Sequence, residues 1–293
     1  MKRLSNSSWA QQVVFIGPSL TAFSIIILIP FIMSLYYSMV QWNGISDDVV
    51  WVGLDNFRTI FMHDKDFAHS FWFTARLTAA IVVLTNLLGF TLAYILTHGL
   101  KLRNAMRTMF FIPNVLGGLI LGFIWQFIFV SSFKTIGEFT RIELFLLPWL
   151  GTEATAFWGI VIVSVWQLSG YVMVIYIAGL VSVPHNLKEA AMIDGARRLH
   201  ILRHILIPLV MPSVTVCLFW TISHAFKIFD LNFSLTEGGP FKSTESVAMN
   251  IYLEAFEYNR YGLGTAKALI FFIVVMAIST VQVYLTKRRE VEM

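Results

Sequence analysis

Six long apolar segments dominate this chain, at about 12–40, 71–98, 107–130, 155–181, 205–229 and 265–286. Each approaches or exceeds the roughly 20 residues that carry a helix across a hydrocarbon core. A backbone in lipid has no water to satisfy its N–H and C=O groups, so segments of this kind are helical. The expected class is therefore all-α, a polytopic integral membrane protein with six transmembrane helices in one 1–293 domain. Composition agrees, because 57% of the 293 residues are hydrophobic and 13% are charged, against about 25% charged in a soluble domain.

The first segment follows Met1-Lys2-Arg3. Its apolar stretch runs from Val13 past Met39, well beyond the 7–15 apolar residues of a secretory signal. It reads as a retained span, kinked at Pro30.

The few charges sort by side. The N-terminus (Lys2, Arg3), the second-to-third connection (Lys101, Arg103, Arg107), the fourth-to-fifth connection (Lys188, Arg197, Arg198, Arg203) and the C-terminus (Lys287, Arg288, Arg289) hold 12 basic residues against four acids, Glu189, Asp194, Glu290 and Glu292. The remaining 9 basic and 13 acidic residues fall elsewhere, Asp47, Asp48, Asp55, Asp64 and Asp66 among them. The positive-inside rule then places both termini in the cytoplasm, in keeping with an even number of spans. The net charge of +4 reports these loops rather than nucleic-acid binding, since no basic run exceeds three residues.

Two connections are long enough to hold structure. In the external one, 230–264, Gly238-Gly239-Pro240 signals a turn. Ser243 or Thr244 is then placed to cap an amphipathic helix. Val247, Ala248, Ile251, Tyr252, Ala255 and Phe256 share one face, and Glu245, Asn250, Glu254 and Glu257 the other. Such a helix lies at the surface or folds back on the bundle. In the internal one, 182–208, Asn186 is a suitable N-cap and Glu189 completes a capping-box variant. A helix is expected from Leu187 to about Asp194, a redirection at Gly195, and a second helical piece over Ala196–His204. By itself this knob fits a partner-binding device or a plain capped loop equally well.

The wording of that loop is specific. Glu189-Ala190-Ala191, then Asp194-Gly195-Ala196, and later Ile207-Pro208 with Pro212, resemble the EAA loop of ABC-importer permeases. The resemblance is to the carbohydrate importers of the maltose and glycerol-phosphate type, and it covers nearly the whole chain. Ser38-Met39-Val40-Gln41-Trp42-Asn43-Gly44, Val52-Gly53-Leu54-Asp55-Asn56-Phe57, Phe111-Ile112-Pro113 with Trp125, Leu235-Thr236-Glu237-Gly238-Gly239-Pro240, Ser243-Thr244-Glu245 and Tyr261-Gly262 follow in the family's order. Ile207 and Leu202 depart from its pattern, where a leucine and an aromatic are common.

The resemblance implies a type I importer permease in a prokaryotic inner or plasma membrane. It would be one of two membrane subunits, served by two cytoplasmic ATPase subunits and an extracytoplasmic sugar-binding protein. It also implies that Glu189, Ala190, Ala191, Asp194, Gly195 and Ala196 couple the chain to the ATPase. ATP would be bound by those partners, leaving this chain no cofactor of its own.

The residues argue against chemistry in the chain itself. No glycine precedes a lysine, so there is no P-loop, and neither His-Glu-x-x-His nor Gly-x-Ser-x-Gly occurs. Leu168-Ser169-Gly170 only imitates an ATPase signature, inside a span. The lone Cys217 forms no intrachain disulfide, and no Cys/His spacing suggests a metal. His98, His185, His200 and His204 read as interfacial or loop residues.

Polar groups within spans are costly in lipid and face interiors or cavities. Trp166, Gln167 and Tyr171 of the fourth span and His224 and Lys227 of the fifth are the candidates for a substrate pathway. Asn86, Gln126 and Ser164 follow them. Aromatic faces beside hydrogen-bonding groups suit a sugar, and His224 with Lys227 suits an acidic one. Packing or lipid-facing roles for Trp166 and Tyr171, and a pair between Lys227 and Asp230, fit the same residues. A secondary transporter would show broken helices in repeated halves, a non-transporting assembly subunit would not need the Gly195 loop, and a channel would show a charged ring or filter.

Overall fold

The computed structural model describes residues 14–98 and 101–290. Lys2, Arg3, Glu292 and the first residues of the 12–40 segment lie outside them. Among the described residues five helices are long and apolar enough to cross a membrane, and a bent helix pair makes a sixth. The chain divides into two compact units, Met1–Asp64 with Ile251–Phe272, and Lys65–Asn250 with Ile273–Met293.

In the first unit, helix α1 (Val14–Tyr37) contains one π turn over Ser24–Leu28. Pro30 follows that turn and has no N–H to donate. The ladder shifts just before it, where the Ile29 N–H reaches back to Ser24 O. A short antiparallel hairpin comes next, β1 (Val40–Gln41) with β2 (Val50–Trp51). Asn43 Oδ1 builds its turn by accepting from the Ile45 and Ser46 N–H groups at 2.9 and 2.8 Å. Helix α2 (Asp55–Met62) follows, and Asn56 Nδ2 donates to the carbonyls of Ser38 and Val40 at 2.9 and 3.0 Å.

The second unit is built around α7. Its helices are α3 (Lys65–Thr97), α4 (Arg103–Val115), α5 (Gly118–Thr140), α6 (Glu143–Leu146), α7 (Glu153–Ser182), α8 (His185–Ile193), α9 (Arg198–Leu209), α10 (Met211–Phe226) and α11 (Asp230–Leu235). Thr152 and Thr155 form a reciprocal capping box that starts α7. Small residues let backbones meet along it. A Cβ on Gly170 would stand 2.0 Å from Phe110 O of α4, and one on Gly179 2.2 Å from Ser213 Oγ of α10. Asn86 of α3 ties three helices, donating to Thr221 Oγ1 of α10 at 3.0 Å and accepting from the Tyr176 hydroxyl of α7 at 2.8 Å.

Several elements differ from the expectations. The 107–130 segment is not one helix, because Leu116 and Gly117 are extended (ψ 132° and 141°) and separate α4 from α5. The 205–229 segment is bent by 69° between α9 and α10. Pro212 cannot donate to Pro208 O, the bond that would carry the helix across Val210. In the loop between α7 and α9, α8 begins at His185 behind Pro184, so Asn186 is not its cap. Glu189 pairs with His185 Nδ1 at 3.0 Å instead of closing a capping box. Ala196 and Arg197 stand outside a helix, and α9 starts at Arg198.

The helix after α11, α12 over 247–257, also departs from its sequence pattern. Ser246 Oγ rather than Ser243 or Thr244 accepts from within its first turn, from the Met249 N–H at 3.2 Å. Val247 and Ala255 of its apolar face are buried as expected and Glu257 is exposed, but Glu245 just before it, Asn250 and Glu254 are buried too, while Tyr252 and Phe256 are exposed. Partners account for the buried polar groups. Asn250 Nδ2 and Ser70 Oγ donate to Glu245 at 2.6 and 3.2 Å. Asn232, fully buried, donates to Thr244 O at 2.8 Å and accepts from the Ser246 N–H at 3.1 Å. Helix α13 (Tyr261–Lys287) is the last helix of the described residues.

Candidate functional site

The second unit holds a cavity of about 510 Å³. Its floor is the break between α4 and α5, where Asn114, Leu116 and Gly118 line it. Gln167 of α7 reaches across and donates from Nε2 to the free Leu116 carbonyl at 3.0 Å. The opposite wall is an aromatic ladder. Tyr171 lies against Trp220 at 4.2 Å between ring centroids, and Trp220 stacks on His224 at 5.1 Å and 19°. Trp220 and His224 are one turn apart on α10, so one helix face presents both rings.

Of the five residues expected along a substrate path, Gln167, His224 and Lys227 line this cavity, and Tyr171 backs it through Trp220. Trp166 does not. It turns toward Trp125, 5.5 Å edge-to-face, and remains 41% exposed. Ser164 also lines the cavity, and its buried Oγ has no partner among the described residues. Asn86 belongs to the helix tie already described. Lys227 and Asp230 both line the cavity, yet no ion pair joins them among the described residues. Lys227 stands at the C-terminus of α10 and Asp230 in the first turn of α11, where the two helix dipoles favour their respective charges.

Sequence reasoning passed over Asn114 and Trp220. The spacing of Trp220 four residues before His224 was the available signal for one. Asn114 becomes visible only once α4 is seen to stop one residue later. Close approach of α11 is what completes the cavity. A Cβ on Gly118 would stand 2.8 Å from Asp230 Cβ, and one on Gly122 1.8 Å from Ser234 Oγ. The two glycines, four apart on α5, form a groove for α11.

The second candidate is the α8 loop. Its ending is a Schellman motif: the Gly195 N–H donates to Met192 O at 3.1 Å and the Ala196 N–H to Ala191 O at 2.9 Å. Gly195 supplies the left-handed residue, φ 80°, and a Cβ there would meet nothing within 4 Å. Its requirement is therefore conformational and not steric. Ala191 and Ala196 turn toward the apolar cluster beneath, while Glu189, Ala190, Asp194 and Gly195 face outward. Leu187, Met192 and Ile193 are exposed as well, Ile193 at 85%. The six loop residues thus divide into three that fix the turn and its seat and three that present a surface.

Five helices long and apolar enough to cross a membrane, with a bent pair as a sixth among the described residues, define a polytopic membrane protein. The chain belongs to the family of binding-protein-dependent transport system inner membrane components, whose profile matches residues 85–291. It is a multi-pass inner-membrane protein. It is 49% identical over 280 residues to the probable starch degradation products transport system permease protein AmyD of Thermoanaerobacterium thermosulfurigenes, covering 96% of this chain and 95% of that one. It is 32% identical over 262 residues to the multiple sugar-binding transport system permease protein MsmF of Streptococcus mutans, covering 89% and 90%. A chain of a bacterial ABC transporter involved in import of the acidic polysaccharide alginate shares the fold, with a TM-score of 0.83 at 19% identity over 98% of this chain and 99% of that one.

Proposed function

We propose that this chain is one of two membrane subunits of an ATP-driven importer for oligosaccharides released from starch. The 49% identity to a permease for starch degradation products, across 96% of the chain, carries this reading. The cavity supports it chemically: an aromatic ladder for the apolar face of a glucose ring, with Gln167, Ser164, Asn114 and Lys227 to bond its hydroxyls. An extracytoplasmic binding protein would deliver the sugar, and both termini would lie in the cytoplasm.

Two ATPase subunits would supply the energy, one seating α8 of this chain and the other the corresponding loop of a second permease subunit. The apolar tip of α8 suits a hydrophobic groove, with Glu189 at its rim. Movement imposed on α8 passes through the Schellman turn into α9 and across the bend at Val210 into α10. That helix bears Trp220 and His224, so the loop and the cavity wall share one mechanical element.

The test is uptake of labelled maltotriose by the assembled importer carrying Gly195→Val or Gly195→Asn. Valine disfavours the left-handed conformation, whereas asparagine tolerates it. Valine should leave assembly intact and lower uptake at least about tenfold, while asparagine retains most of it; one 1.4 kcal/mol loss is already tenfold. Equal uptake by the two variants and the parent would overturn the coupling role.

A further inference from the structure

The first unit contains a second cavity, of about 560 Å³, that the translocation reading does not use. Gln41, Trp42, Asp48, Asp55, Asn259 and Arg260 contribute to its lining. This size falls in the range of small-ligand sites. Most of its polar groups are planar amides, carboxylates or guanidinium, which bond two neighbouring oxygens at once. Asp48 and Asp55 form no ion pair among the described residues.

Arg260 is held there by a chain of charges. Its Nε meets Glu254 Oε1 at 2.5 Å, and the other oxygen of Glu254 meets Lys267 Nζ. Lys267, 1% exposed, also meets Asp64 Oδ2 at 2.7 Å. Burying an ion set of this kind stabilises a fold little compared with apolar packing, but it fixes geometry. Here it fixes an arginine whose own side chain is 58% exposed at the cavity. The guanidinium lies over the Tyr258 ring, 5.7 Å from its centroid, and Arg260 lines the cavity together with Asp48 and Asp55. A guanidinium and carboxylates lining one cavity match the vicinal hydroxyls of a sugar, which donate and accept together.

We propose that this cavity is a separate oligosaccharide-binding site on the external side of the permease, with Arg260 and Asp55 bonding the sugar and Lys267 acting as a positioning residue. It rests on the importer reading for its ligand class and for its orientation. The site would bind sugar independently of the cavity between α7 and α10.

The experiment is calorimetric titration of maltotriose into the full chain in lipid nanodiscs, alongside maltotriose uptake by the assembled importer. Three proteins are compared: the parent, Asp55→Asn with Asn259→Gly, and Gln167→Ala with His224→Ala. Glycine preserves the left-handed backbone at Asn259, φ 52°, and both outer substitutions are at exposed positions. The parent should bind, the Gln167/His224 variant should still bind, and the Asp55/Asn259 variant should lose that binding at least about tenfold. Lys267→Met should weaken it too, with binding partly restored by Lys267→Arg. Unchanged binding by the Asp55/Asn259 variant, or complete loss in the Gln167/His224 variant, overturns the site. Uptake without any outer-site binding overturns this inference alone; absence of uptake as well overturns the importer reading with it.

Discussion

Helices α1 and α7 are almost equally apolar, with mean hydropathies of 2.2 and 2.0 over their most apolar stretches, yet none of that stretch is buried in α1 and 72% is in α7. Hydropathy therefore identifies what belongs in a bilayer and says nothing of what each helix packs against. The distinction lies in the small residues. Helix α7 carries Gly159, Gly170 and Gly179, each of which meets a neighbouring side chain or backbone within 3.3 Å of where a Cβ would stand. Helix α1 instead presents Phe15, Ile26 and other large side chains that this chain leaves uncovered, a surface suited to lipid or to a second permease subunit.

Substitutions can break that contrast. The largest effect is expected for Gly170→Leu, which drives a side chain into the Phe110 carbonyl. It should cost more than about 4 kcal/mol and abolish accumulation of folded protein, read by size-exclusion fluorescence. Asn86→Leu takes the acceptor from the Tyr176 hydroxyl and the cross-helix donor from Thr221. A loss of about 1–2 kcal/mol is expected, visible as a lowered Tm in detergent, since polar ties between membrane helices are individually modest. Ile26→Ala, at a side chain 70% exposed, should move the Tm of the isolated chain by no more than the equivalent of about 0.5 kcal/mol. A large fall there would mean that α1 has a partner within its own chain and would erase the contrast.

The same reasoning separates what the sequence disclosed from what it withheld. Apolar length marked the helices, and the Glu-Ala-Ala to Gly-Ala wording marked the α8 loop down to the residue that turns it. The break at Leu116–Gly117 was not legible, because an apolar run looks continuous whether or not its backbone is helical. The burial of Glu245, Asn250 and Glu254 was hidden for a related reason. Periodicity shows that a helix has a polar face, but only its partners, Ser70, Lys267 and Arg260, decide that this face points inward. Likewise Gln167 and His224 were identifiable as polar groups in apolar helices. Their convergence on one cavity depends on α7 packing against α10, where Tyr171 meets Trp220 and Gly179 meets Ser213, long-range contacts without a local signature.

The most direct test is a cross-link at α8. Cys217 is the single cysteine and is fully buried, so Ala190→Cys creates one accessible thiol on the outward face of the helix. In membranes containing the complete importer, a short bifunctional thiol reagent should join this chain to an ATPase subunit bearing a cysteine in its docking groove. The yield should change when ATP is bound. Failure to form that adduct in an assembly that still imports maltotriose would contradict the assignment of α8 as the coupling helix.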